Sequence, residues 1–319
     1  AAWQISAGGA AALPDWTPPP QEIGDEYHVK NRRTGAVFRC LDAAQTTALR
    51  DACRARGVTI SGLLCAAALL SASDAMGGGK EDGKGEPSTY KLLQALNMRP
   101  FGKDTPKGGG DKGADWSKGS VVAGTGSLDL IVKLQPRSGA AVRRAAEAAR
   151  SNDDDDGDGH ASLMAGCLDL LWDTAADCNA QTRRWISSGW PRESLLLFAA
   201  GWEFMNMNRV VELSAQDATS LGRAYSCACS NVGVFNQGTV HGDIRLRSVF
   251  FGISQTVSAP SISTSSVTVD GLLCLTTQYC KPIWSDAQAA DFADSVCELM
   301  RLAACLAPTP AIHADVKMI

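Results

Sequence analysis

Long apolar runs are absent from this sequence of 319 residues. The longest, from Val58 to Ala72, is interrupted by Ser61 and Ser71, and it is shorter than the roughly 20 residues that a helix needs to cross a bilayer. The net charge of -4 also lacks the basic excess that is typical of nucleic-acid binding. We therefore expect no membrane span and no nucleic-acid partner.

Paired cysteine motifs are missing as well, although the sequence contains eleven cysteines. No C-x-x-C spacing occurs, and disulfide frameworks belong mainly to short secreted chains. Cys65, Cys167, Cys274 and Cys297 stand in apolar surroundings, which predicts buried thiols in a reducing, cytoplasmic setting. The C-x-C pair at 227–229 is open to two interpretations, buried thiols or a redox pair.

Several familiar site motifs occur only in broken form. The glycine-rich segment 78–85 approaches a phosphate-binding loop, but Gly85 stands where a Ser or Thr would hold magnesium. The acidic run 153–158 resembles the start of a calcium loop, but Ala165 occupies the position of the bidentate Glu. No Gly-x-Ser-x-Gly elbow supplies a serine nucleophile. The sequence therefore predicts no resident metal and no bound cofactor.

Composition divides the chain into a short linker and one long domain. Residues 1–34 are rich in glycine and proline, which predicts an extended connection. Residues 35–319 are expected to form the domain, with flexible loops at 77–87, 102–119 and 151–160.

Periodicity within the domain predicts helices and strands in mixed order. The expected helices are 43–56, 61–75, 138–150, 161–179, 194–207 and 286–304. The expected strands are 35–41, 88–99, 120–123, 127–134, 244–251, 265–269 and 272–279.

Four stretches, in this order, resemble the C-terminal subdomain of the acyltransferases that include peptide-synthetase condensation domains and alcohol O-acetyltransferases. They are the helix pair Thr46–Ala67, the Asn-x-Arg-Pro ending of Leu96–Phe101, the Ser-Asn-x-Gly corner Ser230–Gly233, and the closing strand and helix Thr268–Arg301. The resemblance implies an α/β (two-layer α+β) fold of the chloramphenicol-acetyltransferase type. In such a fold, helices cover a mixed, largely antiparallel sheet.

The resemblance also implies a catalytic motif that this sequence lacks. Such enzymes carry His-His-x-x-x-Asp in an N-terminal subdomain, where the second histidine acts as general base. No two of the four histidines here are adjacent. The aspartate of the motif would stand four places after its second histidine, but the positions four places after the histidines here hold Arg32, Met164, Arg245 and Lys317. We therefore expect an N-terminal half to be missing, to lie upstream in a longer parent, and to be needed for activity.

The resemblance places Ser230, Asn231 and Gly233 near the substrate channel. The amide of Asn231 would contact the oxyanion or the acceptor there, or it would only tie down its own turn. Arg99 would form an ion pair with the other subdomain, or it is a plain surface arginine. His241 precedes Gly242 and Asp243 in an expected hairpin loop. It is either a base that the Asp243 carboxylate orients or an exposed loop residue.

Two classes of function remain open. The first is the C-terminal part of an alcohol O-acetyltransferase, with acyl-CoA (acetyl-CoA) as co-substrate and a small hydroxylated acceptor. The second is a non-catalytic half-domain that forms a channel or docks a partner. Part of a peptide-synthetase condensation domain is a further alternative, with a carrier-protein donor.

Overall fold

A computed structural model describes most of the domain. The described residues are 28–76, 87–104, 125–135, 138–139, 141–142, 144, 157–191, 193–194, 206–215, 221–255 and 260–305. Most of the predicted linker 1–34, most of the loops 77–87 and 102–119, and the predicted strand 120–123 lie outside these ranges. Those predictions therefore remain predictions.

The described residues include eight strands and five α-helices with defined bounds. The strands are β1 Arg33–Leu41, β2 Ser88–Asn97, β3 Thr125–Leu134, β4 Cys227–Val234, β5 Val240–His241, β6 Ile244–Arg245, β7 Ile262–Val269 and β8 Leu272–Lys281. The helices are α1 Ala43–Ala55, α2 Ile60–Ala75, α3 Gly157–Ser187, α4 Met207–Ala215 and α5 Asp286–Cys305. Short 3-10 turns cover Val29–Asn31 and Arg99–Asp104.

Six strands form one mixed sheet in the order β1-β8-β7-β4-β2-β3. The pairs β1–β8, β7–β8 and β2–β3 are antiparallel, and β4 runs parallel to both of its neighbours. Asp270 and Gly271 both have positive φ and join β7 to β8 in a two-residue turn, as Asp-Gly pairs commonly do in hairpins. The largely antiparallel mixed sheet confirms the predicted fold class.

The two helices after β1 begin at side-chain caps. Asp42 accepts a hydrogen bond from the N–H of Gln45, whose side chain bonds back to the N–H of Asp42. Thr59 caps α2 through the N–H of Gly62. Every residue of α2 from Gly62 to Ser73 is buried, as its uniformly apolar sequence predicts.

Alternation along the strands gives the sheet two different faces. Leu273 and Leu275 on β8 belong to the large core that contains α2 and α5. Cys274 lies between them in sequence and belongs to a second cluster, with Val267 and Val269. Partly buried side chains of the segment 235–251 cover that second cluster: Phe235, Leu246, Val249 and Phe251.

Helix α3 protects the outer edge of β3. Gln181 donates a hydrogen bond to the carbonyl of Ile131 (2.9 Å) and accepts one from its N–H (3.0 Å). Trp185 Nε1 donates to the carbonyl of Asp129 at 3.0 Å. These side chains satisfy backbone groups that an edge strand would otherwise offer to another chain.

Some element boundaries differ from the predictions. Strand β1 begins at Arg33, inside the predicted linker 1–34, because its pairing with β8 extends to Lys281. Helix α3 begins at Gly157, inside the predicted loop 151–160, and acidic residues such as those of the preceding run favour a helix N-terminus. The predicted strand 244–251 contains only the short β6, because side chains of the remaining residues pack on a face of the six-stranded sheet while their backbone joins none of its strands.

None of the described helices is by itself long and apolar enough to span a membrane. Helices α1 and α2 meet that test of length and composition only as a pair, and the pair is bent by 100°.

Candidate functional site

The Ser-Asn-x-Gly segment forms a bulge near the end of β4, and the predicted compact corner is therefore wrong. Ser230 and Asn231 pair with Ser265 and Ser266 on β7, and the register then shifts before Val234. Gly233 has a φ of +79°, a left-handed conformation that only glycine adopts without strain. The glycine thus allows the bulge that interrupts the parallel ladder.

The side chain of Asn231 makes two hydrogen bonds. Its Oδ1 accepts from the N–H of Gly233 at 2.9 Å, and its Nδ2 donates to Ser61 Oγ at 3.0 Å. A backbone N–H can only donate, so the Gly233 contact fixes which end of the amide is the oxygen. Asn231 therefore ties down its own bulge and also links β4 to the first turn of α2. Its predicted contact with an oxyanion or an acceptor stays a prediction.

Ser230 and Asn231 face opposite sides of the sheet because they are consecutive strand residues. Asn231 faces the helices through its bond to Ser61. Ser230 is half-buried on the other side, next to Ser265. Ser230 and Asn231, two of the predicted channel residues, therefore do not share one face. A channel that touches both of them must pass the end of β4.

Arg99 lies just beyond β2, in a 3-10 turn, with an exposed side chain. Its backbone N–H donates to Asn97 Oδ1 at 3.1 Å, which helps to end the strand. The predicted ion pair requires a carboxylate from another subdomain, so it stays a prediction.

His241 lies in the hairpin of β5 and β6, and its side chain is exposed. Gly242 has a positive φ, as the tight turn requires. This position agrees with the interpretation of His241 as an exposed loop residue.

A buried ionic network at the centre of β2 and β3 was not predicted. Lys91 Nζ lies 2.7 Å from Asp129 Oδ2, and Tyr225 donates a hydrogen bond to Asp129 Oδ1 at 2.9 Å. The ammonium also lies 4.6 Å from the centre of the Tyr225 ring. Burial, and then the Asp129 charge, raise the pKa of Tyr225. Charged residues inside the apolar strand patterns were the sequence signal for this pair.

Two buried arginines hold the segment after α4 against β1 and β8. Arg32 donates to the carbonyls of Leu221 and Ala215, at 2.9 and 3.1 Å. Arg223 donates to Cys280 Sγ at 3.0 Å and also to backbone carbonyls. Burial lowers the pKa of Arg223 to about 10. These contacts join parts of the fold that are distant in sequence.

The C-x-C pair is buried against α2. Cys229 Sγ contacts the carbonyl of Leu64 at 3.8 Å, and burial raises the pKa of the Cys227 and Cys229 thiols. A raised pKa lowers the thiolate fraction, so the position favours structural thiols. In the part of the chain that the structure describes, no group of three or more His, Cys, Asp or Glu side chains is arranged to hold a metal ion.

The sheet order, the covering helices and the bulged Ser-Asn-x-Gly strand together define a fold class. It is a two-layer arrangement, with helices on one face of a mixed, largely antiparallel sheet. The fold that the resemblance in the sequence implied is thereby confirmed.

Two solved structures share this fold. TRI3 trichothecene 15-O-acetyltransferase from Fusarium sporotrichioides matches with a TM-score of 0.55 and 14% identity, over 85% of this chain and 47% of that one. The epimerization domain from the third module of tyrocidine synthetase B matches with a TM-score of 0.52 and 14% identity, over 96% of this chain and 54% of that one. The chain therefore spans about half the length of these structures. No protein-family model and no curated protein matches the sequence.

Proposed function

We propose that this chain is the C-terminal half of an alcohol O-acetyltransferase. It would help to move an acetyl or longer acyl group from acyl-CoA to the hydroxyl of a small acceptor. The observation that carries the proposal is the fold likeness to a 15-O-acetyltransferase, which extends over 85% of this chain but only 47% of that enzyme. The free thiols fit a reducing, cytoplasmic setting, which we include in the proposal.

The partner in this proposal is an N-terminal subdomain that carries His-His-x-x-x-Asp. Besides the half-length match, exposed apolar side chains support it. Six of them lie in the short segment 232–253: Val232, Val234, Val240, Ile244, Phe250 and Ile253. Apolar exposure of this kind is typical of a surface that another domain covers.

In the proposed reaction, the partner's histidine takes the proton of the acceptor hydroxyl as its oxygen attacks the thioester carbonyl. A C–O bond forms, the C–S bond breaks, and the CoA thiolate leaves and takes up the proton. Asn231 lies at the bulge near the end of β4 and would donate from Nδ2 to the oxyanion. This chain would then supply part of the site while the base comes from the other half.

A second candidate is part of a peptide-synthetase domain, with the acyl group tethered to a carrier protein. The likeness to the epimerization domain of tyrocidine synthetase B supports it, with a TM-score of 0.52. The two candidates differ in the donor, because free acyl-CoA serves only the first. A non-catalytic docking half-domain would show neither activity.

Reconstitution tests the proposal. The chain is combined with an N-terminal acyltransferase half that bears the histidine motif, which is either fused upstream or co-expressed. Acetyl-CoA and acyl-carrier protein are then offered separately as donors, with a panel of small alcohols as acceptors. We expect ester product only from the combined halves and only with acyl-CoA. The matched control replaces the second motif histidine with alanine, which removes the base and leaves the assembly intact. Absence of transfer from every thioester by the combined halves would overturn the proposal.

A further inference from the structure

Cys40 and Cys274 bring two thiols together across the sheet. They lie directly opposite each other on the antiparallel strands β1 and β8, and their sulfur atoms are 4.0 Å apart. The two residues are 234 positions apart in the sequence, so folding alone creates this pair. Both are free thiols, and neither takes part in the proposed acyl transfer.

Backbone hydrogen bonds show which kind of strand pair this is. The N–H of Cys280 on β8 donates to the carbonyl of Ser261, the residue just before β7, at 2.8 Å. Alternate residues of a strand point their backbone groups to the same neighbour, so Cys274, six positions earlier, also bonds toward β7. The carbonyl of Cys40 accepts from Arg301 Nη2 of α5 at 3.2 Å, which agrees with this position. Cys40 and Cys274 are therefore a non-hydrogen-bonded pair, whose Cα atoms lie about 4.5 Å apart, within the range that a disulfide spans.

A third thiol lies nearby but on the other face of the sheet. Cys297 Sγ contacts the backbone carbonyl of Cys40 at 4.0 Å. Cys297 belongs to the large core on the helix side, whereas Cys40 and Cys274 pack in the second cluster on the opposite face. Cys274 is therefore the better placed partner for the Cys40 sulfur.

We propose that Cys40 and Cys274 form an oxidative modification site, at which a peroxide converts the two thiols into a disulfide that joins β1 to β8. Cys40 is partly exposed and Cys274 is only 1% exposed, so hydrogen peroxide reaches Cys40 first. The Cys40 sulfur attacks one peroxide oxygen, the O–O bond breaks, and a sulfenic acid and water form. The Cys274 sulfur then attacks the Cys40 sulfur, so that the S–S bond forms, the S–O bond breaks and a second water leaves. The two thiols thereby lose two electrons and two protons, which end in water.

The surroundings of the pair set the rate of this reaction and its effect. Burial, and then the neighbouring Cys274, raise the pKa of Cys40 to about 11, so little thiolate is present at neutral pH and the reaction is slow. Sustained oxidation, and not a brief exposure, should therefore modify the pair. Strand β1 lies at the edge of the six-stranded sheet, and the disulfide would tie it to β8 across a long loop of the chain. Such a cross-link should raise the melting temperature.

The test is prolonged incubation of the full folded chain with hydrogen peroxide, followed by unfolding and alkylation of the remaining thiols with N-ethylmaleimide. We expect the loss of two of the eleven thiols and a cross-linked peptide that contains Cys40 and Cys274. Digestion with chymotrypsin assigns the pair, because cleavage after Tyr279 and Phe292 separates Cys274 from the cysteines that follow it. The melting temperature should rise by roughly 10 °C and return to its original value with dithiothreitol.

Two variants separate this pair from general thiol oxidation. Cys40→Ala removes the thiol that peroxide reaches first, so treatment should give neither the cross-link nor a higher melting temperature. Cys297→Ala is the matched control, because it removes the other thiol near Cys40, and it should form the same disulfide with the same rise in melting temperature. Each variant is compared with its own untreated sample, so a lower starting stability does not affect the result.

Recovery of Cys40 and Cys274 as free thiols after prolonged treatment would overturn the site. A bond between Cys40 and Cys297, or an equal rise in the melting temperature of Cys40→Ala, would also overturn it. None of these measurements uses acyl transfer, so failure of this site and failure of the proposed function are distinguishable.

Discussion

Lys91 and Asp129 form an ion pair with 2.7 Å between Nζ and Oδ2, and their side chains are only 11% and 14% exposed. Tyr225 completes the group by donating a hydrogen bond to the same carboxylate. Charges removed from water in this way depend on each other, because either one alone would be buried without compensation.

Asp129→Asn should therefore be strongly destabilising. It leaves the Lys91 ammonium buried without a counter-charge, and we expect the free energy of unfolding to fall by about 3 kcal/mol. Asp51→Asn is the control, since Asp51 pairs with Arg54 at the surface and should cost less than about 0.5 kcal/mol. Urea denaturation of both variants measures the difference. Equal effects would show that the buried network contributes no more than a surface pair.

Gly35→Ala should also destabilise the chain. Gly35 on β1 faces Tyr279 on β8, and a Cβ at position 35 would overlap the tyrosine ring. Forcing the ring aside should cost about 2 kcal/mol. The same change at Gly166, in the middle of α3 with open space around it, should stabilise by up to about 1 kcal/mol. Thermal melts that move in the same direction for both variants would contradict this account.

Stability should fall as the pH rises above about 9, because buried thiols stay protonated in the folded state. Burial raises the pKa of Cys53 from 9.0 to about 12, so the unfolded chain releases this proton first. The contribution of Cys53 to the free energy of unfolding is complete below pH 9. It is lost between pH 9 and 12, at about 1.4 kcal/mol per pH unit. In the Cys53→Ala variant, the free energy of unfolding should fall less steeply with pH, by about 1.4 kcal/mol per pH unit. Urea unfolding at several pH values under reducing conditions measures this slope. Identical slopes would exclude Cys53 as a source of the pH dependence.

Asn231→Asp should separate the structural role of this residue from its chemical role. The carboxylate can still accept from the N–H of Gly233 but cannot donate, so the bulge is retained and the donor is lost. We expect near wild-type stability with at least about 100-fold lower acyl transfer in the reconstituted enzyme. Asn231→Ala should lose both activity and about 1 kcal/mol of stability. Wild-type turnover by the Asp variant would restrict Asn231 to its structural role.

Local patterns in the sequence predicted much of the fold. The cap at Asp42, the uniformly apolar α2 and the paired strands of the closing hairpin follow from short-range chemistry, and their boundaries agree to within a few residues. The prediction of a strand over the whole segment 244–251 was wrong, because side chains of this segment cover a face of the six-stranded sheet while its backbone does not join that sheet. Apolar content alone does not distinguish these two forms of burial.

The site was only partly predictable. The pattern Ser-Asn-x-Gly located Asn231, but its bond to Ser61 joins residues 170 positions apart. The strand register pairs Asn231 with Ser266 on β7, and nothing near either residue in the sequence indicates that pairing. Long-range pairing of this kind depends on the strand order, which the sequence pattern does not contain.

The most direct test of the central claim is the rate of CoA thiol release from acetyl-CoA, in the presence of an alcohol acceptor, as this chain is titrated into a fixed amount of the histidine-bearing N-terminal half. The account predicts no release by either half alone and a rate that saturates at a one-to-one ratio. Turnover by this chain alone, or a mixture that never exceeds the separate halves, would contradict it.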